Sequence, residues 1–338
     1  MTMTKSRSRD FQIYGVLLAV VMVLPWLGAY PVFVMKVMTF ALFACAFNLL
    51  IGFTGLLSFG HAAFLGGAAY AAGHAMKEWG FPTELGLLFG TLVGALLGLA
   101  MGYLAIKRSG IYFSMITLAL AQMLYFFFLQ APFTYGEDGL QGVPRGSLLG
   151  IIPLSSDLAL YYFVLAVFVL GFLIIYRTVH SPFGQVLKAI RENEARATSL
   201  GYNTARFKLL AFVLSAALAG LAGATKTLVL GFATLTDAHW GTSGLVILMV
   251  LVGGMGTMLG PIVGALVVVA LENKVGDIGR FLAETTGVEW FAGLGEAVTV
   301  VTGLIFVICV LAFRRGLVGE LAAWWQRRRG TGAAPAAS

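Results

Sequence analysis

Apolar residues in this chain fall in long runs separated by short polar stretches, a pattern of helices set in lipid rather than of helices with one wet face. Crossing a bilayer core takes about 20 residues of helix. Runs approaching that length lie at 11–28, 33–51, 62–76, 85–106, 111–131, 158–176, 209–231 and 297–313. A further run, 242–271, is interrupted by Gly253, Gly254, Gly256, Gly260 and Pro261 and is expected to be broken or re-entrant. Irregular backbone facing lipid leaves polar groups unsatisfied, so this break has to be buried in protein or line a cavity. The pattern predicts an all-α polytopic membrane protein with about eight full spans and one Gly-broken segment. Residues 1–329 are expected to form a single membrane domain, and 330–338, rich in Ala and Gly, a disordered tail.

One polar stretch, 177–208, stands apart from the apolar runs. Ser181 is suited to cap a helix whose first residue is Pro182, and Gly201 to end it in a left-handed turn. The spacing predicts one helix of about five turns. Phe183, Val186, Leu187, Ile190 and Ala197 fall on one stripe together with Glu194, and Lys188, Arg191, Glu192 and Arg196 occupy the other faces. Asn203 is suited to cap the next helix, which enters the membrane from Leu209. The stretch reads as a docking surface for a cytoplasmic partner, joined mechanically to a span.

Composition supports the class. Of 338 residues 59% are hydrophobic and 11% charged, with mean hydropathy +0.91, whereas soluble domains carry about a quarter charged residues. The net charge of +7 does not indicate nucleic acid, because the basic residues are one-sided on this topology. Lys5, Arg7, Arg9, Lys107, Arg108, the basic residues of 177–208, Arg314, Arg315 and Arg327 to Arg329 all fall inside if the N-terminus is cytoplasmic. Glu137, Asp138, Asp157, Asp237, Asp277, Glu284 and Glu289 fall outside. The tryptophans agree: Trp26, Trp79, Trp240 and Trp290 lie near outer ends of spans, and Trp324 and Trp325 near the inner surface. Lys208 and Arg314 share a side only if an even number of full crossings separates them, so both termini are expected to be cytoplasmic. Cys45 and Cys309 both lie in apolar runs, which indicates neither a disulfide framework nor a thiol metal site. The basic start of the chain reads as the flank of a retained first span, since no small-x-small cleavage site follows it.

Gly86, Gly90, Gly94, Gly98 and Gly102 form a smooth ridge down one predicted span, for close packing or for sliding. Each half of the chain also carries a Gly-interrupted region, 52–60 before His61 and 253–260 before Pro261, and paired breaks of this kind mark translocation pathways. Asn48, Thr54, Ser58 and His61 surround the first break, Gly253 and Gly254 lie in the second, and Ser114, Thr117 and Gln122 bring polar groups onto a neighbouring span. Their polar side chains read either as pathway lining or as interhelical hydrogen bonding. Lys36 and Lys226 lie near outer span ends, where snorkelling to headgroups is expected. The spans carry no central Asp or Glu, which argues against a proton relay. The chain shows no phosphate-binding loop, zinc-protease motif or nucleophile elbow, and its four histidines are dispersed. It is expected not to be an enzyme.

Five passages carry a family resemblance: NLLIGFTGLLSFGHAAFLGGAAYAA from Asn48, SMITLALAQMLY from Ser114, GEDGLQGVP from Gly136, FGQVLKAIRENEARATSLGYN from Phe183 and LVGGMGTMLGPIVGA from Leu251. Together they resemble the LivM-type permease subunit of branched-chain amino acid ABC importers, over nearly the full length. The resemblance implies a multi-pass protein of the bacterial inner membrane that takes up leucine, isoleucine or valine. Its implied partners are a second, similar permease, two cytoplasmic ATPase subunits that bind ATP and Mg, a periplasmic or lipid-anchored binding protein, and membrane lipid. This chain itself would hold no cofactor. Phe183, Leu187, Ile190, Ala195 and Gly201 would belong to the ATPase-coupling element. Arg196 follows Glu194 and Ala195 where the general permease pattern has a second Ala, so Glu192 and Glu194 are both candidates for its acid. The outer segment 132–157, with Glu137, Asp138 and Arg145, is the candidate contact for the binding protein, against the alternative of a solvated loop. Importers of urea and short amides are similar enough to remain an alternative. An ion-coupled secondary carrier is a second one, which would need a coupling-ion site.

Overall fold

The computed structural model describes residues 14–148, 150, 152–286 and separate positions between 300 and 321. The expected span 297–313 lies largely outside these residues, and both termini and the 330–338 tail lie wholly outside them. Among the described residues five helices are long and apolar enough to cross a membrane: α2 (Pro31–Thr54), α4 (Thr83–Ala105), α5 (Ile111–Gln130), α6 (Asp157–Val179) and α9 (Thr204–Leu230). Shorter apolar helices are α1 (Tyr14–Leu27) and α11 (Trp240–Gly253), and α3 (His61–Lys77) lies between α2 and α4. Between α6 and α9 lie α7 (Pro182–Glu192) and α8 (Glu194–Ser199); α10 (Leu235–Ala238) precedes α11, and α12 (Gly260–Thr286) follows it. Two small antiparallel ladders pair β1 (Leu140–Gln141) with β4 (Phe232–Ala233) and β2 (Ser147–Leu148) with β3 (Ile152–Pro153).

Six of these helices form two units of three. In one, α3 packs on α4, and in the other α11 packs on α12. The remaining helix of each unit, α2 or α9, packs against the paired helices of the other unit and against its counterpart. The units run in opposite senses: α2 ends, and α9 begins, at the end of the bundle where α7 lies. This is an inverted repeat of the kind transporters use to build a pathway. Residue identities hide it; packing shows it. Phe43 and Phe47 of α2, Phe64 of α3 and Phe212 of α9 are fully buried. Leu88, Leu92, Leu96 and Leu99 of α4 and Met115, Met123, Phe126 and Phe127 of α5 point outward as large exposed apolar groups, the surface lipid would cover.

Glycine sets how closely these units approach. A Cβ at Gly94 would fall 2.9 Å from both the Ala216 carbonyl oxygen and Gly220 Cα, and one at Gly98 would collide with the Ala216 side chain. The ridge on α4 is therefore a packed seam against α9. The run 242–271 is broken at its glycines into a helical hairpin. α11 and α12 run antiparallel, and the glycines form the turn between them, at the same end of the bundle as α7, where Gly256 lies beside Arg191. The hairpin depends on Gly253 and Gly264, where added Cβ atoms would collide with the carbonyl oxygens of Gly260 and Met249. Gly264→Val is expected to force the helices apart at a cost of about 1–3 kcal/mol or more. The check is the thermal midpoint of the purified protein in detergent, and an unchanged midpoint would contradict the packing.

Candidate functional site

α3 has 17 residues and α11 has 14, so they are about 26 and 21 Å long, each short of a bilayer core of about 30 Å. Each is preceded by backbone that leaves the helical ladder. Gly55 ends α2 in a left-handed turn (φ 78°), and residues 55–60 then climb back along α2 to His61. His61 Nε2 lies 2.8 Å from Ser215 Oγ, which itself donates to the Ala46 carbonyl. Ala46 is eight residues before the end of α2, so α3 begins about 12 Å inside the bundle. On the other side, residues 231–239 leave α9, pair with β1 and descend through α10, which packs against Gly66 of α3. α11 then continues to the α7 end. The two short helices meet at their N-termini, where Ala62 N donates to Ser243 Oγ at 2.9 Å.

Backbone at this depth needs protein partners, and most of the predicted pathway residues supply them. Thr117 Oγ1 accepts from Phe59 N at 3.2 Å, Ser58 Oγ accepts from Gly60 N at 3.2 Å, and Ser114 Oγ donates to the Leu57 carbonyl at 2.7 Å. Asn48 ties α2 to the second glycine break: Nδ2 donates to the Thr257 carbonyl and Oδ1 accepts from Gly256 N, both at 2.9 Å. Ser58, His61 and Thr117 thus gather about the unwound stretch before α3 and Asn48 reaches the turn that follows Gly253 and Gly254, so the structure does not bring all six together, and Gln122 is half-buried and makes none of these bonds. His61 is fully buried, with Phe47, Phe64 and Phe212 arranged edge-on around its ring.

The expected five-turn helix over 177–208 is two helices. Ser181 caps the first, accepting from Gly184 N at 3.3 Å, but α7 stops at Glu192 because Asn193 adopts an extended backbone (φ −158°, ψ 99°). The Asn193 side chain caps α8 instead, accepting from Arg196 N at 2.9 Å. A short amide competes with the helical ladder in this way, so Asn193 was the available signal for the break. After α8, Gly201 takes φ 89° and Tyr202 N closes on the Ala197 carbonyl at 3.3 Å. Asn203 caps α9, accepting from Arg206 N at 3.2 Å.

The apolar stripe turns inward. Leu187 and Ile190 are buried, and Phe183 stacks on Phe207 of α9 with ring centroids 5.5 Å apart. Glu194 pairs with Lys208 at the start of α9. Glu192, Asn193, Ala195 and Arg196 remain exposed, and among the described residues no cation pairs with Glu192. Arg191 turns away from this face and donates to the Gly52 carbonyl in the last turn of α2.

At the opposite end, described residues of 132–157 make specific contacts. β1 pairs with β4, and Arg145 bonds Asp157 at 2.7 Å. Tyr135, at φ 60°, donates to Glu78 at 3.2 Å, and the Glu78 charge raises the pKa of its phenol. Glu137 and Asp138 are exposed. Lys226 does not snorkel. It is 7% exposed and pairs with Asp237, 5% exposed, which also accepts from Thr234 N at 3.2 Å and so caps α10. The outer-loop placement of Asp237 is corrected here: residues 231–239 fold into the bundle, taking the carboxylate with them.

Inverted helix units joined through unwound, internally satisfied backbone are the architecture of a multi-pass membrane permease. Residues 32–311 match the family described as branched-chain amino acid transport system / permease component, and the chain belongs to that family. It is similar to the high-affinity branched-chain amino acid transport system permease protein LivM of Salmonella typhimurium (strain LT2) and to the protein of the same name from Escherichia coli (strain K12). Each is 26% identical over 267 residues, covering 72% of this chain and 63% of the relative, so the chain spans less than two thirds of the length of these relatives. No solved structure matches.

Breaking one side of a buried ion pair costs about 3–5 kcal/mol, whereas replacing both partners with apolar groups is often neutral. Asp237→Asn is therefore expected to lower the thermal midpoint sharply, and Lys226→Met with Asp237→Leu to recover most of it. Equal melting of wild type and Asp237→Asn would show that the pair does not hold the 231–239 descent.

Proposed function

We propose that this chain is the membrane subunit of an ATP-driven importer of branched-chain amino acids, sited in the bacterial inner membrane with its α7 end in the cytoplasm. It assembles with a second permease of similar fold and two ATPase subunits, which bind ATP and Mg and do the hydrolysis. A soluble or lipid-anchored binding protein delivers leucine, isoleucine or valine to the far end, where Glu137 and Asp138 are exposed for contact and Arg145 is held by Asp157. The observation that carries this reading is the division of labour on α7 and α8. One face is anchored in the bundle through Phe183, Leu187 and Ile190. The other presents Glu192 and Ala195 to solvent, at the end where both glycine breaks meet.

Of the two candidate acids, Glu194 is engaged with Lys208 and fastens α8 to α9, so Glu192 is assigned to the ATPase contact. Gly201 shapes the return of the chain to α9 by its left-handed turn. Substrate passes between the inverted units, beside His61 and Ser243, when rearrangement at the α7 end opens or closes the junction.

With the complex co-expressed and purified through a tag on this chain, Glu192→Arg is expected to lose the ATPase subunits and to lower uptake by about tenfold, or about 1.4 kcal/mol of coupling. Glu194→Gln should retain them. Full ATPase recovery and full uptake with Glu192→Arg would overturn the docking assignment.

A further inference from the structure

Arg191 is the next-to-last residue of α7, and its side chain ties that helix to both glycine breaks at once. Its Nη1 donates to the Gly52 carbonyl. Gly52 lies within the last four residues of α2, whose carbonyls have no partner further along the helix and form its negative pole, a natural seat for a guanidinium. The arginine stem lies over Gly55, where a Cβ would come within 3.1 Å of Arg191 Cγ. Gly256, at φ 79°, brings the α11–α12 turn against the same guanidinium: a Cβ there would sit 3.3 Å from Nη1 and 3.3 Å from the Gly52 carbonyl oxygen. Asn48 closes the cluster through Gly256 N and the Thr257 carbonyl.

The chemistry of the partner matters. No carboxylate pairs with Arg191 among the described residues. The bond goes instead to a backbone carbonyl, at the point where α2 gives way to the unwound stretch leading to His61. A bond of that kind depends on backbone shape, so it is kept or lost as the last turn of α2 and the 254–259 turn change their path. The guanidinium is a rigid fork and a lysine ammonium is a point charge, so lysine keeps the charge without the shape.

We propose that Arg191 is the positioning residue that carries movement of α7 to the two breaks of the pathway. It is a strut holding the end of α2 and the 254–259 turn to the coupling helix. This rests on the reading of α7 and α8 as the ATPase contact. When the ATPases displace α7, Arg191 pulls the Gly52 end of α2 and the Gly256 turn together, and through residues 55–60 and α11 the motion reaches the junction at Ala62 and Ser243.

The test is made on the complete complex in liposomes with leucine, reading ATP hydrolysed and leucine taken up on the same sample. Arg191→Gln is expected to keep bound ATPase subunits and basal hydrolysis while leucine moved per ATP falls by about tenfold, within the range of ordinary coupling energies. Arg191→Lys should restore part of that ratio, and Gly256→Ala, which crowds the guanidinium with Arg191 intact, should lower it. A wild-type ratio in Arg191→Gln, even with less complex recovered, would make Arg191 structural only and overturn the proposal. If Arg191→Gln yields no complex, a wild-type ratio in Arg191→Lys overturns it. Absence of ATP-driven uptake by the wild-type complex would instead refute the importer reading and leave the Arg191 contacts as they are.

Discussion

Backbone that leaves the helical ladder inside a membrane has to find its hydrogen bonds within the protein, and much of this structure meets that demand. Among the described residues, 55–60 and 231–239 are two places where the ladder is abandoned. The first is held by Ser58, Ser114 and Thr117, the second by the Thr234–Asp237 cap and the β1–β4 ladder. Side chains that looked like a polar lining for substrate are largely engaged in holding the path open for the chain itself. The buried charge on Asp237 follows from the same constraint, and Lys226 neutralises it.

Holding two unwound stretches within a packed bundle concentrates the deformable backbone in one place. Gly52, Gly55, Gly254 and Gly256 lie where α2, the α11–α12 turn and α7 meet, while the seams α4–α9 and α11–α12 are closed by glycine contacts that leave no room for adjustment. Motion imposed on α7 therefore has a defined outlet. On the proposed reading, the rigid seams transmit it and the junction at Ala62 and Ser243 yields.

Long-period features of this architecture could be read from the chain. Apolar runs located the helices, and Ser181, Gly201 and Asn203 marked caps and a turn found in the structure, because each of those conformations demands a particular residue type. The family followed from motifs spread over most of the length. What escaped depended on contacts distant in sequence. Lys226 looks like any lysine near a span end until residues 231–239 fold inward, and no glycine run announces that descent. Arg191 looks like one more basic residue on a polar helix until it is seen against Gly52, 139 positions away. The break at Asn193 was local and legible, but an apolar stripe continuing to Ala197 concealed it.

The central claim is that α7 and the glycine junction move as one body. Spin labels at Ala189 and Met255, both exposed, report the distance between α7 and the α11–α12 turn, and a second pair at Ala189 and Glu137 reports the distance between the two ends of the protein. Measured on the assembled complex without nucleotide and with ATP bound, the first distance should stay constant while the second changes. A first distance that shifts with nucleotide would mean that α7 slides over the junction without carrying it, and the account would fail.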